Sequence, residues 1–103
     1  MKTFNDFKGA EGIDKVIECA PYINEIIVDT EIMGKIDSMS WLEMGAMIVK
    51  KHGDAFEKIR TALGNAKSEN NIGLAYSAAK LMKELLSDED TLDFFISFAK
   101  TKD

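Results

Sequence analysis

The spacing of the apolar residues constrains the fold of this chain more than any other feature of the sequence. Across most of the 103 residues, apolar side chains recur three and four positions apart, and strict alternation over five or more residues is scarce. The first spacing lines one face of an α-helix, whereas a half-buried strand requires the second. The pattern predicts an all-α fold, a compact bundle of five to seven short helices with no substantial sheet.

Length and composition predict that residues 1–103 form a single helical domain. A chain of this size buries roughly 60–70% of the surface that its unfolded form exposes, which suffices for a core without disulfide bonds. Apolar residues make up 46% of the chain and charged residues 30%, which is typical of globular proteins. No linker-like stretch or internal repeat divides the sequence.

Short polar motifs mark several helix boundaries. Ser40 and Glu43 have the spacing of a capping box, which predicts a helix that begins directly after Ser40. Gly53 and Gly64 are predicted to end two successive helices, because glycine readily adopts the conformation that follows a last turn. Ser87 precedes three acidic residues and predicts the start of the last helix, where negative charge suits the helix dipole.

Two sites in the first third of the chain are less regular. Pro21 is the only proline, and it is expected at the first position of a new helix, where a missing N–H costs no hydrogen bond. Ile26, Ile27 and Val28 are three consecutive β-branched residues, so a short strand remains an alternative to a helix there.

The segment from Ile72 to Leu86 carries an unusually wide apolar surface. A surface this wide predicts a helix with neighbours on more than one side. Its two adjacent stripes are Ile72, Ala75, Tyr76, Ala79, Met82 and Leu86, and Leu74, Ala78, Leu81 and Leu85.

The charge pattern argues against nucleic acid as a partner. The chain has 13 basic and 18 acidic residues, a net charge of −5, and its only adjacent basic pair is Lys50–Lys51. Nucleic acid binding requires a basic surface that neutralises phosphates. We therefore expect no DNA or RNA partner.

The sequence also lacks the usual signals of a membrane or secretory protein. Met1–Lys8 contains Asn5 and Asp6 in place of the apolar run of a signal peptide. The longest apolar stretches fall far short of the roughly 20 residues that span a bilayer. We therefore expect no membrane contact and a cytoplasmic location.

Few residues suit a catalytic or metal-binding role. His52 is the only histidine and lies at a predicted helix end, where a capping or dipole role is ordinary. Cys19 is the only cysteine and lies among apolar residues, so a small buried side chain is favoured over a reactive thiol. A structural zinc site needs about four cysteine or histidine ligands. We expect no enzymatic activity, no cofactor and no metal.

The C-terminal helix most suggests a binding surface. Phe94 and Phe98 lie four apart, on a flank beside the face that is expected to complete the core. That face consists of Leu92, Phe95, Ile96 and Ala99. A short terminal helix seldom buries three phenylalanines within its own domain, and large apolar patches mark partner sites. Partner association and plain burial both remain open for Phe94 and Phe98. The predicted partner-binding residues are Leu92, Phe94, Phe95 and Phe98.

Several parts of the chain carry a family resemblance. They are Phe7–Asp14 (FKGAEGID), Pro21 with Ile23–Ile26, Ile48–His52 followed by Ile59 and Leu63, and then Leu81, Leu85–Asp88 and Phe94–Phe95. In the order of these segments and in its apolar pattern, most of the chain resembles the small tail assembly chaperones of long-tailed phages and prophages.

The resemblance implies an all-α protein without enzymatic activity that binds the tape-measure protein and self-associates during tail assembly in a bacterial host. A long helical tape measure is prone to aggregate before assembly, so a small partner with apolar grooves suits it. Composition supports a generic bacterial helical adaptor or regulatory protein equally well, and this remains the alternative.

Replacement of Phe94 and Phe98 together by serine tests the predicted surface on the last helix. If these side chains contact a partner, the double variant stays helical and loses an assembly state or a partner contact, measured by circular dichroism and analytical ultracentrifugation. A folded variant with every assembly state and partner contact unchanged would rule the surface out.

Overall fold

Five α-helices follow one another in the computed structural model, which describes residues 2–7, 12–66 and 70–102. For Asn5 and residues 98–102 the description covers the backbone alone. The helices are α1 (Ile13–Ile27), α2 (Thr30–Gly34), α3 (Trp41–Ala62), α4 (Asn71–Ser87) and α5 (Glu89–Lys102), preceded by a 3-10 helix at Phe4–Phe7. No strand occurs in these ranges, and the predicted all-α fold class is confirmed.

The core is centred on the pair formed by α3 and α4, which share the most extensive interface. Helix α1 packs against α3, and α5 packs against α1 and α4. The short helix α2 follows α1 and contacts both α1 and α3. The largest fully buried side chains come from every one of these elements and include Phe4, Ile23, Ile32, Phe56, Leu81 and Phe95.

Small residues bring α3 and α4 into backbone contact. Gly45 is buried in α3, opposite Ala75 and Ala79 of α4. A Cβ atom at Gly45 would collide with the Ala75 carbonyl oxygen and would lie 2.9 Å from the Ala79 backbone nitrogen. Glycine is therefore required here by the distance between two backbones and not by an unusual backbone conformation.

Most of the predicted helix boundaries are present. The Ser40 hydroxyl accepts a hydrogen bond of 3.1 Å from the backbone N–H of Glu43 at the start of α3. After α3, Gly64 adopts a φ of +87°, a left-handed conformation that ends the helix as predicted. At the start of α5, one Asp88 carboxylate oxygen accepts from the N–H groups of Asp90 and Thr91.

The prediction that Pro21 begins a new helix is wrong, because Pro21 lies inside α1. Val16 and Cys19 before it and Ile23 and Ile26 after it are all buried, and a continuous helix keeps them on one face. Pro21 itself is exposed, so the hydrogen bond that it cannot make is lost on the side of the helix that water reaches. The open question at residues 26–28 is settled in favour of a helix that ends at Ile27.

The predicted helix end at Gly53 is confirmed to within one residue, because two helical segments of α3 meet at a kink there. The kink is at His52, with φ −135° and ψ 33°, and the second segment continues to Ala62. At the kink, the His52 side chain contacts carboxylates of α1 and of the α1–α2 junction.

One of the two apolar stripes on α4 is only partly buried. Leu74, Ala78, Leu81 and Leu85 all lie in the core, as do Ala75, Ala79 and Met82. The predicted neighbours on more than one side are present, because α4 contacts α3, α5 and the 3-10 helix. Within the first stripe, however, Ile72 and Tyr76 are 73% and 61% exposed.

We predict that Gly45→Ala destabilises the fold by about 1–3 kcal/mol, because the added methyl group forces two helix backbones apart. Urea-induced unfolding followed by circular dichroism measures the loss. Gly53→Ala is the matched control in the same helix, since no atom lies within 4 Å of its added Cβ. The control should gain up to about 1 kcal/mol from better helix propensity. Equal stabilities of the two variants would contradict the close contact.

Candidate protein-binding site

A groove runs along the outer side of the contact between α3 and α4. It encloses about 740 Å³. Its walls and rim are formed by Ala46, Val49, Lys50, Gly53, Asp54 and Glu57 of α3, and by Asn70, Asn71, Ile72, Leu74 and Ala75 at the start of α4. We call this the α3–α4 groove. Apolar side chains occur on both of its walls, and charged side chains line its α3 rim.

The apolar walls of the α3–α4 groove continue onto the exposed surface. On α4, Ile72 lines the groove and Tyr76 follows one turn later, and these two side chains are 73% and 61% exposed. On α3, Leu42 lies one turn before Ala46 and is 44% exposed. Residues four apart share a helix face. These side chains therefore form an exposed apolar strip beside a concave surface, as protein-binding sites do.

A second and smaller groove contains one of the predicted site residues. Phe94 lines it on α5, opposite Ile13 and Val16 of α1. The groove encloses about 320 Å³, and Asp88 and Asp90 lie at its rim. We call this the α1–α5 groove.

The four predicted partner-binding residues are not equivalent in the structure. Phe95 is fully buried, with its ring against those of Phe4 and Phe94 at centroid distances of 5.7 and 5.2 Å. It is a core residue and offers no surface to a partner, which corrects its place in the predicted set. Leu92 and Phe94 are half-buried against the core, and Phe94 keeps a face toward the α1–α5 groove. The Phe98 side chain lies outside the described residues.

The one histidine joins three helical elements through a polar cluster. His52 Nδ1 lies 2.7 Å from Glu25 Oε2 on α1, and His52 Nε2 lies 2.7 Å from Asp29 Oδ2 between α1 and α2. Lys51 Nζ lies 3.0 and 2.8 Å from the two Asp29 oxygens. We call Glu25, Asp29, Lys51 and His52 the His52 cluster. It joins the kink of α3 to α1 and to the start of α2.

Asp29 is the most strongly perturbed carboxyl group of the His52 cluster. Hydrogen bonds from Lys51 and then from His52 hold the pKa of Asp29 well below its ordinary value of 3.8. The same carboxylate accepts from the N–H groups of Glu31 and Ile32 and so caps α2. The hydrogen bond to Asp29 in turn raises the pKa of Lys51.

Other candidate chemistry is limited in the described part of the chain. Residues 2–7, 12–66 and 70–102 contain no group of three or more His, Cys, Asp or Glu side chains arranged to hold a metal ion. The Cys19 thiol is buried, and its burial, followed by the charge of Glu18, raises its pKa to about 12. The predicted buried role of Cys19 is therefore confirmed. None of the helices in these ranges is long and apolar enough to cross a membrane.

The sequence alone did not reveal the exposed apolar strip or the His52 cluster. Ile72 and Tyr76 fit a helical stripe, and only the position of α3 decides which edge of that stripe stays in water. The partners of His52 are 27 and 23 residues away, so no local motif links them. A histidine directly before Gly53 was one available signal of a distorted turn.

Comparison with known proteins gives no family assignment. The chain matches no family model, no curated protein and no solved structure. Function is therefore inferred from the grooves of the fold and from the sequence resemblance.

We predict that Asp29→Asn lowers stability at neutral pH and that its difference from the wild type shrinks in acid. A carboxyl group whose pKa is lowered in the folded state stabilises the fold above its ordinary pKa of 3.8 and loses that contribution as the pH falls further. Asparagine keeps the ability to cap α2 but cannot carry the charge.

Urea unfolding at a series of values from about pH 7 to about pH 3 measures this difference. Asp37→Asn, which neutralises an exposed carboxylate, controls for the change in net charge. A stability difference between Asp29→Asn and the wild type that grows as the pH falls would contradict the assignment.

Proposed function

We propose that this chain is a non-enzymatic protein-binding chaperone for phage tail assembly, which binds the tape-measure protein and self-associates in the cytoplasm of a bacterial host. The observation that carries the protein-binding part is the exposed apolar strip, with Ile72 on the wall of the α3–α4 groove and Tyr76 one turn further along α4. The resemblance of the sequence to tail assembly chaperones supplies the identity of the client.

The geometry of the groove suits an amphipathic helical client. A helix presents apolar side chains three and four positions apart, and such a ridge can lie along a concave apolar surface between two helices. Ile72 and Tyr76 are also four apart, so two successive turns of α4 can contact the same client helix. The charged rim from Lys50, Asp54 and Glu57 would meet the polar flanks of that helix.

Many copies on one long client would strengthen individually weak contacts. A tape measure offers a series of helical turns, and copies bound side by side are held at high effective concentration. Phe94 in the α1–α5 groove is a second apolar position, available to contacts between neighbouring copies. This arrangement supports binding and self-association through separate surfaces.

We predict that co-expression with tape-measure fragments keeps them in solution and yields a stable complex, measured by co-purification. Ile72→Ser with Tyr76→Ser should lose the complex and keep the helical content of the wild type, because both side chains are largely exposed. Val28→Ser is the matched control, since Val28 is 64% exposed and lines neither groove.

The outcomes separate the proposed function from its alternative. If the chain is a tail assembly chaperone, we expect a gene for a tail tube protein upstream of its own gene. We also expect a very long gene for a helical protein downstream. Failure to bind across several tape-measure fragments, with the protein well folded, would contradict the tail chaperone. Binding of a different helical protein that depends on Ile72 and Tyr76 would favour the generic helical adaptor.

A further inference from the structure

We propose that the His52 cluster is a protonation-dependent clasp, which sets the bend of α3 and thereby the shape of the α3–α4 groove. The clasp is a property of the fold by itself. It rests on the proposed function only for its consequence, the control of a binding surface by pH.

Both ring nitrogens of His52 face carboxylates. Each lies 2.7 Å from an oxygen of a different carboxylate, on Glu25 and on Asp29. An ionised carboxylate can only accept hydrogen bonds, so both contacts require an N–H from the ring. Only the protonated imidazolium carries two N–H groups, and a neutral ring would turn a lone pair toward one carboxylate oxygen. The complete clasp is therefore the protonated form.

Charge balance supports the same conclusion. Glu25 and Asp29 bring two negative charges to the ring, and Lys51 returns one positive charge at 2.8 Å from Asp29. A protonated His52 supplies the second positive charge, so that the two carboxylates are balanced. The His52 side chain is only 14% exposed, so water replaces these contacts poorly.

The surroundings of the ring contain further charged and titratable groups. Glu31 of α2 lies 3.5 Å from Lys51, and Lys58 of α3 lies over the ring of Tyr22 of α1, 5.4 Å from its centroid. The full set that faces His52 from α1, α2 and α3 is Tyr22, Glu25, Asp29, Glu31, Lys50, Lys51, Asp54 and Lys58.

The two carboxylates beside the ring differ in how firmly they are held. Asp29 is fixed independently, because it also binds Lys51 and caps α2 through two backbone N–H groups. Glu25 is 52% exposed on α1 and can turn into water. Deprotonation therefore breaks the Glu25 contact and keeps the Asp29 contact.

The clasp and the α3–α4 groove share residues of α3. His52 is the one residue of α3 with non-helical dihedral angles, so the clasp acts at the bend itself. The residues on either side of it, Val49, Lys50, Gly53 and Asp54, line both the space around His52 and the α3–α4 groove. A change in the bend consequently moves one wall of the groove.

Because His52 is the only histidine, nuclear magnetic resonance of the ring tests the clasp in the full chain without ambiguity. At about pH 5.5, we expect two ring N–H resonances that exchange slowly with water, since both are hydrogen-bonded. At about pH 9, we expect one of them to be lost and the backbone amides of residues 49–54 and of Ile72 to shift.

Glu25→Gln tests the contact that opens. A glutamine side chain can accept from a protonated ring or donate to a neutral one, so the ring keeps a partner in both states. The variant should lose the pH-dependent amide shifts. Glu18→Gln changes the same charge on an exposed residue of the same helix and should keep them.

Three results would overturn the clasp. They are the absence of slowly exchanging ring protons at the lower pH, amide shifts in Glu25→Gln equal to those of the wild type, and shifts that spare the groove residues. None of these measurements involves a client. Loss of tape-measure binding would therefore refute the proposed function and leave the clasp standing.

Discussion

The backbone contact between α3 and α4 at Gly45 is the constraint on which the other elements depend. Small residues on both sides of the contact bring the two helix axes close together. The core is completed by α1, which packs against α3, and by α5, which packs against α1 and α4. The α3–α4 groove lies between the same two helices, with exposed Ile72 on its wall and exposed Tyr76 one turn later.

A second constraint acts where α3 is bent. The kink at His52 lies directly before Gly53, where the local sequence also favours a helix end. His52 at this kink contacts carboxylates on α1 and at the α1–α2 junction. Buried apolar contacts thus hold the helices together, and one polar cluster joins the kink of the longest helix to α1 and α2.

The sequence predicted features that depend on residues close together in the chain and missed features that depend on residues far apart in it. The cap at Ser40 and the left-handed Gly64 depend on neighbours within a few residues, and local motifs predicted both positions. The start signal of the last helix was predicted at Ser87, one residue too early, because Ser87 ends α4 and Asp88 is the cap. Pro21 was misplaced because the burial of residues on both sides of it outweighs its local preference for a first turn. The His52 cluster and the exposed strip of α4 depend on contacts across the fold, which periodicity does not encode. The partner-binding role of Phe94 remains a prediction.

The position of Cys19 makes its thiol an internal reporter of the separation of α1 from α3. Its sulfur lies 3.7 Å from the Ile59 carbonyl oxygen, beyond the bend of α3, and is shielded from water. The thiol therefore lies at the contact between α1 and the second half of α3. The rate at which a thiol reagent modifies Cys19 would thus measure the separation of α1 from α3, in the way that amide exchange measures cooperative unfolding.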